Sequence, residues 1–84
     1  MKYVITDQNE AKIGKDIYLH SELTKELKGK VIKAGHCRIT EDFSYHVWGE
    51  SIGYGIQSRP EDADILNKLL PYNPPLEPSE QEKA

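Results

Sequence analysis

Almost all apolar residues of this chain lie between residue 1 and Leu70, and this limit constrains the fold more than any other feature of the sequence. Residues 71–84 hold four of the five prolines and only three apolar residues. A segment of this composition cannot bury enough apolar surface to offset its conformational entropy, so we predict a disordered, acidic tail. The remaining residues 1–70 are enough for one hydrophobic core, and we predict that they form a single domain.

The charge and the cysteine content exclude several classes of protein. The formal net charge is −3 at pH 7, and acidic and basic residues are interspersed, whereas nucleic-acid binding requires a basic surface. No apolar run approaches the roughly 20 residues that a membrane span needs, and the N-terminus lacks the apolar stretch of a secretory signal. The single cysteine, Cys37, cannot form an internal disulfide, which suits a reducing compartment. We therefore expect a soluble cytoplasmic protein that binds neither nucleic acid nor membranes.

The first half of the chain predicts two strands followed by a short helix. Residues 2–6 are mostly β-branched or aromatic and end at a polar run, which indicates a strand and a turn. A second extended stretch is predicted within residues 11–19, with 16–19 as the favoured part. Residues 21–28 favour a short helix, because Ser21 can cap its start and Gly29 can end it. Since so short a helix is marginal in water, it must dock on a sheet.

The second half of the chain predicts a hairpin and a longer helix. Residues 30–39 and 44–52 favour strands, with a turn at 40–43. A second helix follows, and Ser58 and Glu61 have the spacing of a capping box at its start. The element order β-β-α-β-β-α predicts an α/β fold, in which a small mixed β-sheet of about four strands carries two helices packed on it.

Three glycines surround Ser51, and they indicate an irregular loop at the end of the fourth strand. They are Gly49, Gly53 and Gly55. A tight glycine-rich loop exposes successive backbone N–H groups, which together with a serine hydroxyl can bind an oxyanion. The alternative is a bulged strand end that passes close to another part of the backbone. The pattern matches neither the phosphate-binding loop of nucleotide hydrolases nor the dinucleotide-binding fingerprint.

The three histidines and the cysteine leave a zinc site open as an alternative. With a turn at 40–43, Cys37 pairs with His46 on one face of the hairpin, and His36 points to the other face. A third ligand would have to be His20, and the close spacing of common zinc sites is absent. Cys37 and His46 are more typical of ordinary half-buried sheet residues. We therefore expect no metal and no other cofactor.

His20 immediately precedes the predicted first helix, where the positive end of the helix dipole lowers an imidazole pKa and favours bound anions. A neutral histidine at such a position can act as a base near pH 7. The alternative is a histidine that only caps the helix or packs at its edge.

Several stretches resemble the Janus and phosphohistidine phosphatase family of small cytosolic proteins. Residues 46–55, HVWGESIGYG, resemble the strand-and-loop signature of that family. Residues 18–20 are similar to its catalytic histidine segment, and residues 2–5 and 35–39 resemble its first strand and its glycine-rich strand. Together these stretches span residues 2–55 in the order of the family.

The resemblance implies a metal-free phosphatase that acts on phosphohistidine or on another phosphoramidate. By the same resemblance, His20 would be the base that activates the attacking water. Ser51 and the backbone amides of Ile52 and Gly53 would hold the phosphoryl oxygens, and Lys2 would supply a positive charge. The partner would then be a phosphoprotein or a small phosphorylated ligand. The alternative is a non-catalytic module of the same fold that binds an anion or a protein and is regulatory.

The chain also departs from the pattern of the family. His36 and Cys37 interrupt its glycine run. Glu50 lies next to Ser51, where its carboxylate would repel a phosphate by ~1 kcal/mol unless strand alternation points it away. Arg38 is expected to be structural. A domain this small could also dimerise by pairing an edge strand with that of a second copy.

Overall fold

The computed structural model describes residues 1–72 and contains a four-stranded sheet, a separate small hairpin, one α-helix and one 3-10 helix. The α/β fold class predicted from the sequence is confirmed, and every pairing in the sheet is antiparallel. Along the sheet the strand order is β2-β1-β3-β4. The four strands are β1 (Lys2–Thr6), β2 (Ala11–Gly14), β3 (Val31–Ile39) and β4 (Tyr45–Trp48).

One face of the sheet carries the larger core and the α-helix, α1 (Pro60–Leu69). Alternate residues of the strands point to this face, and they pack against Leu66 of the helix. The buried sheet residues of this core are Tyr3, Ile5, Cys37 and Tyr45. Burial of this apolar surface holds the helix on the sheet.

The same face also holds a buried polar network that joins the helix to the sheet. Asp62 is 0% exposed, and its carboxylate accepts a hydrogen bond from the Tyr3 hydroxyl. Lys33 of β3 forms an ion pair with Asp62, with Nζ 3.1 Å from Oδ1. Because a buried carboxylate is costly unless it is paired and hydrogen-bonded, this network fixes where the helix docks.

The opposite face of the sheet is covered in part by the 3-10 helix His20–Thr24. Leu23 of this helix packs on Val4 and Ala34, which alternation directs to this face. Gly14 of β2 leaves room for this contact, because a Cβ at that position would lie 2.5 Å from Leu23 Cδ2. The rest of this face forms the floor of the cleft described below.

The hairpin between β3 and β4 differs from the sequence prediction by one residue in register. The predicted turn at 40–43 is wrong, because Phe43 takes a left-handed conformation with φ of 63° and lengthens the loop to include Ser44. A hydrogen bond of 2.8 Å from Thr40 N to Ser44 O closes this loop. Cys37 therefore pairs with Val47, and His46 lies on the other face of the sheet.

The bounds of the second strand and of the first helix also differ from the prediction. The second strand is Ala11–Gly14, which lies within the predicted range 11–19 but not at its favoured part 16–19, and the first helix is the 3-10 helix His20–Thr24 rather than 21–28. Glu10 gives the physical reason for the shorter helix. Its carboxylate accepts hydrogen bonds from the backbone N–H groups of residues 28 and 29, at 2.9 and 2.7 Å, and so holds this segment as a loop.

Strand four and the second helix are close to their predicted positions. Strand β4 ends at Trp48, and the next two residues form β5 (Glu50–Ser51), which pairs with β6 (Ile56–Gln57). The cap at the start of α1 is one residue later than Ser58 and Glu61, because Asp62 accepts a hydrogen bond from Arg59 N at 3.2 Å.

Two further observations concern the ends of the chain and membranes. Most of the tail predicted over 71–84 lies outside the described residues. Within residues 1–72, no helix is long and apolar enough to cross a membrane.

Candidate functional site

A cleft of about 540 Å³ opens on the face of the sheet that carries the 3-10 helix. It lies where the start of β1, the start of the 3-10 helix and the β5–β6 hairpin meet. All five site residues predicted from the sequence line it: Lys2, His20, Ser51, Ile52 and Gly53. The structure therefore brings together residues that are up to 51 positions apart in the chain.

Gly49 allows the hairpin to turn toward the cleft. Its φ is +75°, a conformation that other residues adopt only with strain, and a Cβ at this position would lie 2.9 Å from Cδ2 of His36. At the far end of the hairpin, Gly55 has a φ of +67°, and its N–H donates to Ser51 O at 2.8 Å. The glycine pattern thus produces the irregular loop expected from the sequence.

His20 is 9% exposed, and its position fixes the tautomer of the ring. Its Nε2 lies 2.8 Å from the backbone oxygen of Gly35. A carbonyl oxygen can only accept a hydrogen bond, so Nε2 carries the proton and the neutral ring keeps its lone pair on Nδ1. Within residues 1–72, Nδ1 has no hydrogen-bond partner, so it is available to accept a proton.

Burial lowers the pKa of His20 below its ordinary value near 6.5, and electrostatic interactions with Lys2 and His36 act in the same direction. The hydrogen bond to Gly35 opposes this shift by favouring the protonated ring. The cause differs from the one predicted, because the helix that begins at His20 has only five residues and is 3-10 in type. The direction of the shift is the predicted one, and it favours the neutral form of His20 at pH 7.

Ser51 is a buried residue of the cleft whose hydroxyl lacks a hydrogen-bond partner among residues 1–72. The residue is 1% exposed, and within the described part of the chain its Oγ has no hydrogen-bond partner. A buried hydroxyl without a partner costs free energy, so such a group calls for an explanation. A ligand with acceptor oxygens in the cleft would provide the missing partner.

The turn that follows Ser51 presents backbone donors. Among residues 1–72, the backbone N–H groups of Ile52, Gly53 and Tyr54 donate to no backbone oxygen. The side chain of Ile52 is 86% exposed, and no atom lies within 4 Å of where a Cβ of Gly53 would be. Free N–H groups on consecutive residues are a common way to bind an anion.

Among the lining residues that the structure describes, one lysine and one glutamate carry charge into the cleft. Lys2 is held in place by a hydrogen bond of 2.8 Å from its Nζ to Tyr18 O. Glu50 also lines the cleft, and it is exposed where its neighbour Ser51 is buried. The two residues therefore point to opposite sides of β5, as strand alternation requires. Glu50 nevertheless places a negative charge at the border of the cleft.

His36 is a cleft residue that the sequence analysis did not assign to this site. Its ring lies edge-on to that of His20, with 5.8 Å between the ring centroids. Its position follows from register, since His36 pairs directly with Lys2 across β1 and β3. A correct alignment of these two strands would have been enough to find it.

The remaining candidates from the sequence lie away from the cleft or apart from one another. Cys37 points into the opposite face, where burial raises the pKa of its thiol to about 11. The zinc alternative placed Cys37 and His46 on one face, and the observed register separates them. Within residues 1–72, no group of three or more histidine, cysteine, aspartate or glutamate side chains could hold a metal ion. Arg38 is exposed and pairs with His46 on β4.

Comparisons of the chain with protein-family models, with curated proteins and with solved structures find no match. The resemblance to the Janus and phosphohistidine phosphatase family therefore remains a prediction from the residues. The geometry of the cleft has to be interpreted from its own chemistry.

Proposed function

We propose that this protein hydrolyses the P–N bond of a phosphoramidate such as phosphohistidine or phospholysine, with His20 as the general base. One observation carries the proposal: the buried, unpartnered hydroxyl of Ser51 lies in the same cleft as a neutral histidine that has a free lone pair. Lys2 adds a positive charge, and the turn after Ser51 adds backbone donors. These are the groups that phosphoryl transfer requires, since its catalysis depends on positioning and charge stabilisation.

The proposed reaction has one chemical step. A water molecule attacks the phosphorus atom while Nδ1 of His20 takes one of its protons. The P–N bond breaks, its electron pair stays on the nitrogen, that nitrogen takes up a proton from solvent, and His20 releases to solvent the proton that it took from water. Ser51 Oγ, the amides of Ile52 and Gly53, and the Lys2 ammonium bind the phosphoryl oxygens during the step. The products are inorganic phosphate and the free amine or imidazole.

The test is turnover of phosphohistidine, and of the phosphoramidate ion, measured by phosphorus NMR. The His20→Ala variant should lose at least 100-fold in kcat, the usual contribution of a positioned base. Added imidazole should restore part of that activity, because it can enter the space left by the side chain. Thermal unfolding of the variant shows whether it still folds.

The pH dependence gives a second measurement on the same proteins. Since burial lowers the pKa of His20, kcat/KM of the wild type should stay high below pH 6.5 and fall only as the pH passes through the lowered pKa. A wild-type protein that folds but hydrolyses neither substrate would contradict the proposal. If phosphate then still shifts the amide resonances of residues 20 and 51–55, the alternative of a non-catalytic anion-binding module is favoured.

A further inference from the structure

Three rings form a continuous row on the surface that leads away from the cleft. We call this row the ring ladder, and it consists of His36, Trp48 and His46. The rings of His36 and Trp48 are stacked with centroids 6.0 Å apart, and those of Trp48 and His46 are stacked at 5.9 Å. Its inner end touches the proposed base, because His36 lies edge-on to His20.

The sheet itself determines this row. His36 of β3 pairs with Trp48 of β4, so their side chains are neighbours on one face. Trp48 and His46 are two positions apart on β4 and therefore point to the same side. Strand β4 is an outer strand of the sheet, so the ring ladder runs from the floor of the cleft to the sheet edge.

The fold does not account for the exposure of these rings. None of the three belongs to either buried core. Trp48, the single tryptophan of the chain, is 43% exposed. Large aromatic side chains that stay partly exposed are common at binding surfaces, where they provide much of the binding energy. A row of them that continues from a ligand cleft extends that cleft.

We propose that the ring ladder binds the polypeptide segment next to the phosphorylated residue and stacks against an aromatic or cationic side chain of that segment. This inference rests on the proposed function, because it takes the phosphorylated residue to lie in the cleft. From His36 to His46 the row extends at most roughly 12 Å, which is the length of three or four residues of extended chain. The substrate is then a phosphorylated protein or peptide rather than a free phosphorylated small molecule.

Charge favours a polypeptide over a nucleic acid on this surface. Within residues 1–72, Lys2 is the only lysine or arginine that lines the cleft, Arg38 is the cross-strand neighbour of His46 at the outer end of the ring ladder, and Glu50 opposes them. A nucleotide chain carries a negative charge on every residue and needs several cations. A peptide with one phosphorylated residue and an aromatic side chain needs one cation and a surface for stacking, and both are present here.

The experiment uses two phosphohistidine peptides without tryptophan that differ at one position. The first has a tyrosine two residues from the phosphohistidine, and the second has a glycine there. For the wild type, kcat/KM should be roughly 10-fold higher for the tyrosine peptide. In Trp48→Ala this ratio should fall close to one, and Trp48→Phe should restore most of it. Phe43→Ala, which removes an exposed ring in the β3–β4 loop, should keep the wild-type ratio.

A wild-type ratio near one, or a ratio that Trp48→Ala leaves unchanged, would overturn the inference. Trp48 also provides a reading that does not depend on turnover, since it is the single tryptophan. If the wild type hydrolyses neither peptide, its fluorescence is titrated with a non-hydrolysable phosphonate analogue of each. A change that saturates at lower concentration with the tyrosine analogue would support the ring ladder even though the proposed hydrolysis had failed. Equal curves for the two analogues would refute it.

Discussion

His20 combines burial with an unused lone pair, and this combination is what makes it the candidate base. A histidine on an open surface would have a pKa near 6.5 and would be partly protonated at neutral pH. Here burial disfavours the charged ring, and the hydrogen bond to Gly35 O keeps the proton on Nε2. The neutral ring, with its lone pair on Nδ1, is therefore favoured more strongly than in an exposed histidine.

Glu50 is the residue whose charge opposes anion binding. It borders the cleft that also contains Lys2 and Ser51, and its side chain is exposed. Glu50→Gln should strengthen phosphate binding by up to roughly 5-fold at low ionic strength, because it removes a repulsion of ~1 kcal/mol. The gain should shrink in 0.5 M salt, which screens exposed charges. Phosphate titrations followed by amide chemical shifts measure both values.

Glu41, in the loop between β3 and β4, provides a matched control for Glu50→Gln. Glu41 is also an exposed glutamate, but it does not line the cleft. Glu41→Gln should leave the phosphate affinity within a factor of two, because screening by solvent weakens exposed charges over longer distances. If both substitutions had the same effect, the net charge of the protein would be responsible and not the position of Glu50.

At the scale of elements, local patterns predicted the strands that are strongly apolar and missed the segments that depend on distant partners. Residues 2–6 form β1 with the predicted bounds, and β3 begins one residue later than predicted. The early end of the first helix could not be read locally, because Glu10, 18 positions before Lys28, binds the backbone N–H groups of residues 28 and 29. The left-handed conformation of Phe43 carries no sequence signal of the kind that glycine or asparagine gives.

The residues of the candidate site were easier to predict than the pairing of β1 and β3 that places them. The glycines around Ser51 and the histidine before the first helix were visible as residue types at particular positions. His36 was missed as a cleft residue, since its place depends on the pairing of β3 with β1, which no local pattern reveals. Sequence motifs thus identified residues that line the cleft, and only the sheet revealed the ring ladder beside them.

The β5–β6 hairpin yields a prediction about how the cleft is formed. Gly49→Ala places a Cβ at a φ of +75° and 2.9 Å from the ring of His36. The strained backbone should cost about 1–2 kcal/mol of unfolding free energy, and relief of the contact should displace either the hairpin or His36. We therefore expect Gly49→Ala to be less stable in urea unfolding and to bind phosphate more weakly.

Gly55→Ala separates the loss of stability due to the strained backbone from the loss due to the contact with His36. Gly55 also has a positive φ, +67°, but no atom lies within 4 Å of where its Cβ would be. Gly55→Ala should therefore show the cost of the strained backbone alone, and Gly49→Ala should be the more destabilised by about 1 kcal/mol. Equal losses of stability in the two variants would mean that the contact with His36 does not matter.

At the scale of the whole molecule, stability and the candidate site are located on opposite faces of one sheet. The larger core and α1 lie on one face, and the cleft and the ring ladder lie on the other. A sheet of four strands with so small a core has little stability to spare. The polar network around Asp62, which joins the helix to the sheet, should therefore determine how much of the protein is folded and leave the chemistry of the cleft alone.

Asp62→Ala tests whether the stability provided by the helix face is separate from the chemistry of the cleft. The substitution removes the partner of the buried Tyr3 hydroxyl and one of the two carboxylates beside Lys33. It should lower the unfolding free energy by about 2–3 kcal/mol, which is less than for a fully buried ion pair because Lys33 is partly exposed and keeps Glu61.

Asp64→Ala, an exposed position on the same helix, should change stability by no more than about 0.5 kcal/mol. Urea unfolding gives both values, and phosphoramidate turnover per folded molecule should be the same in the two variants. A loss of turnover in folded Asp62→Ala would mean that the helix face and the cleft are coupled through the sheet.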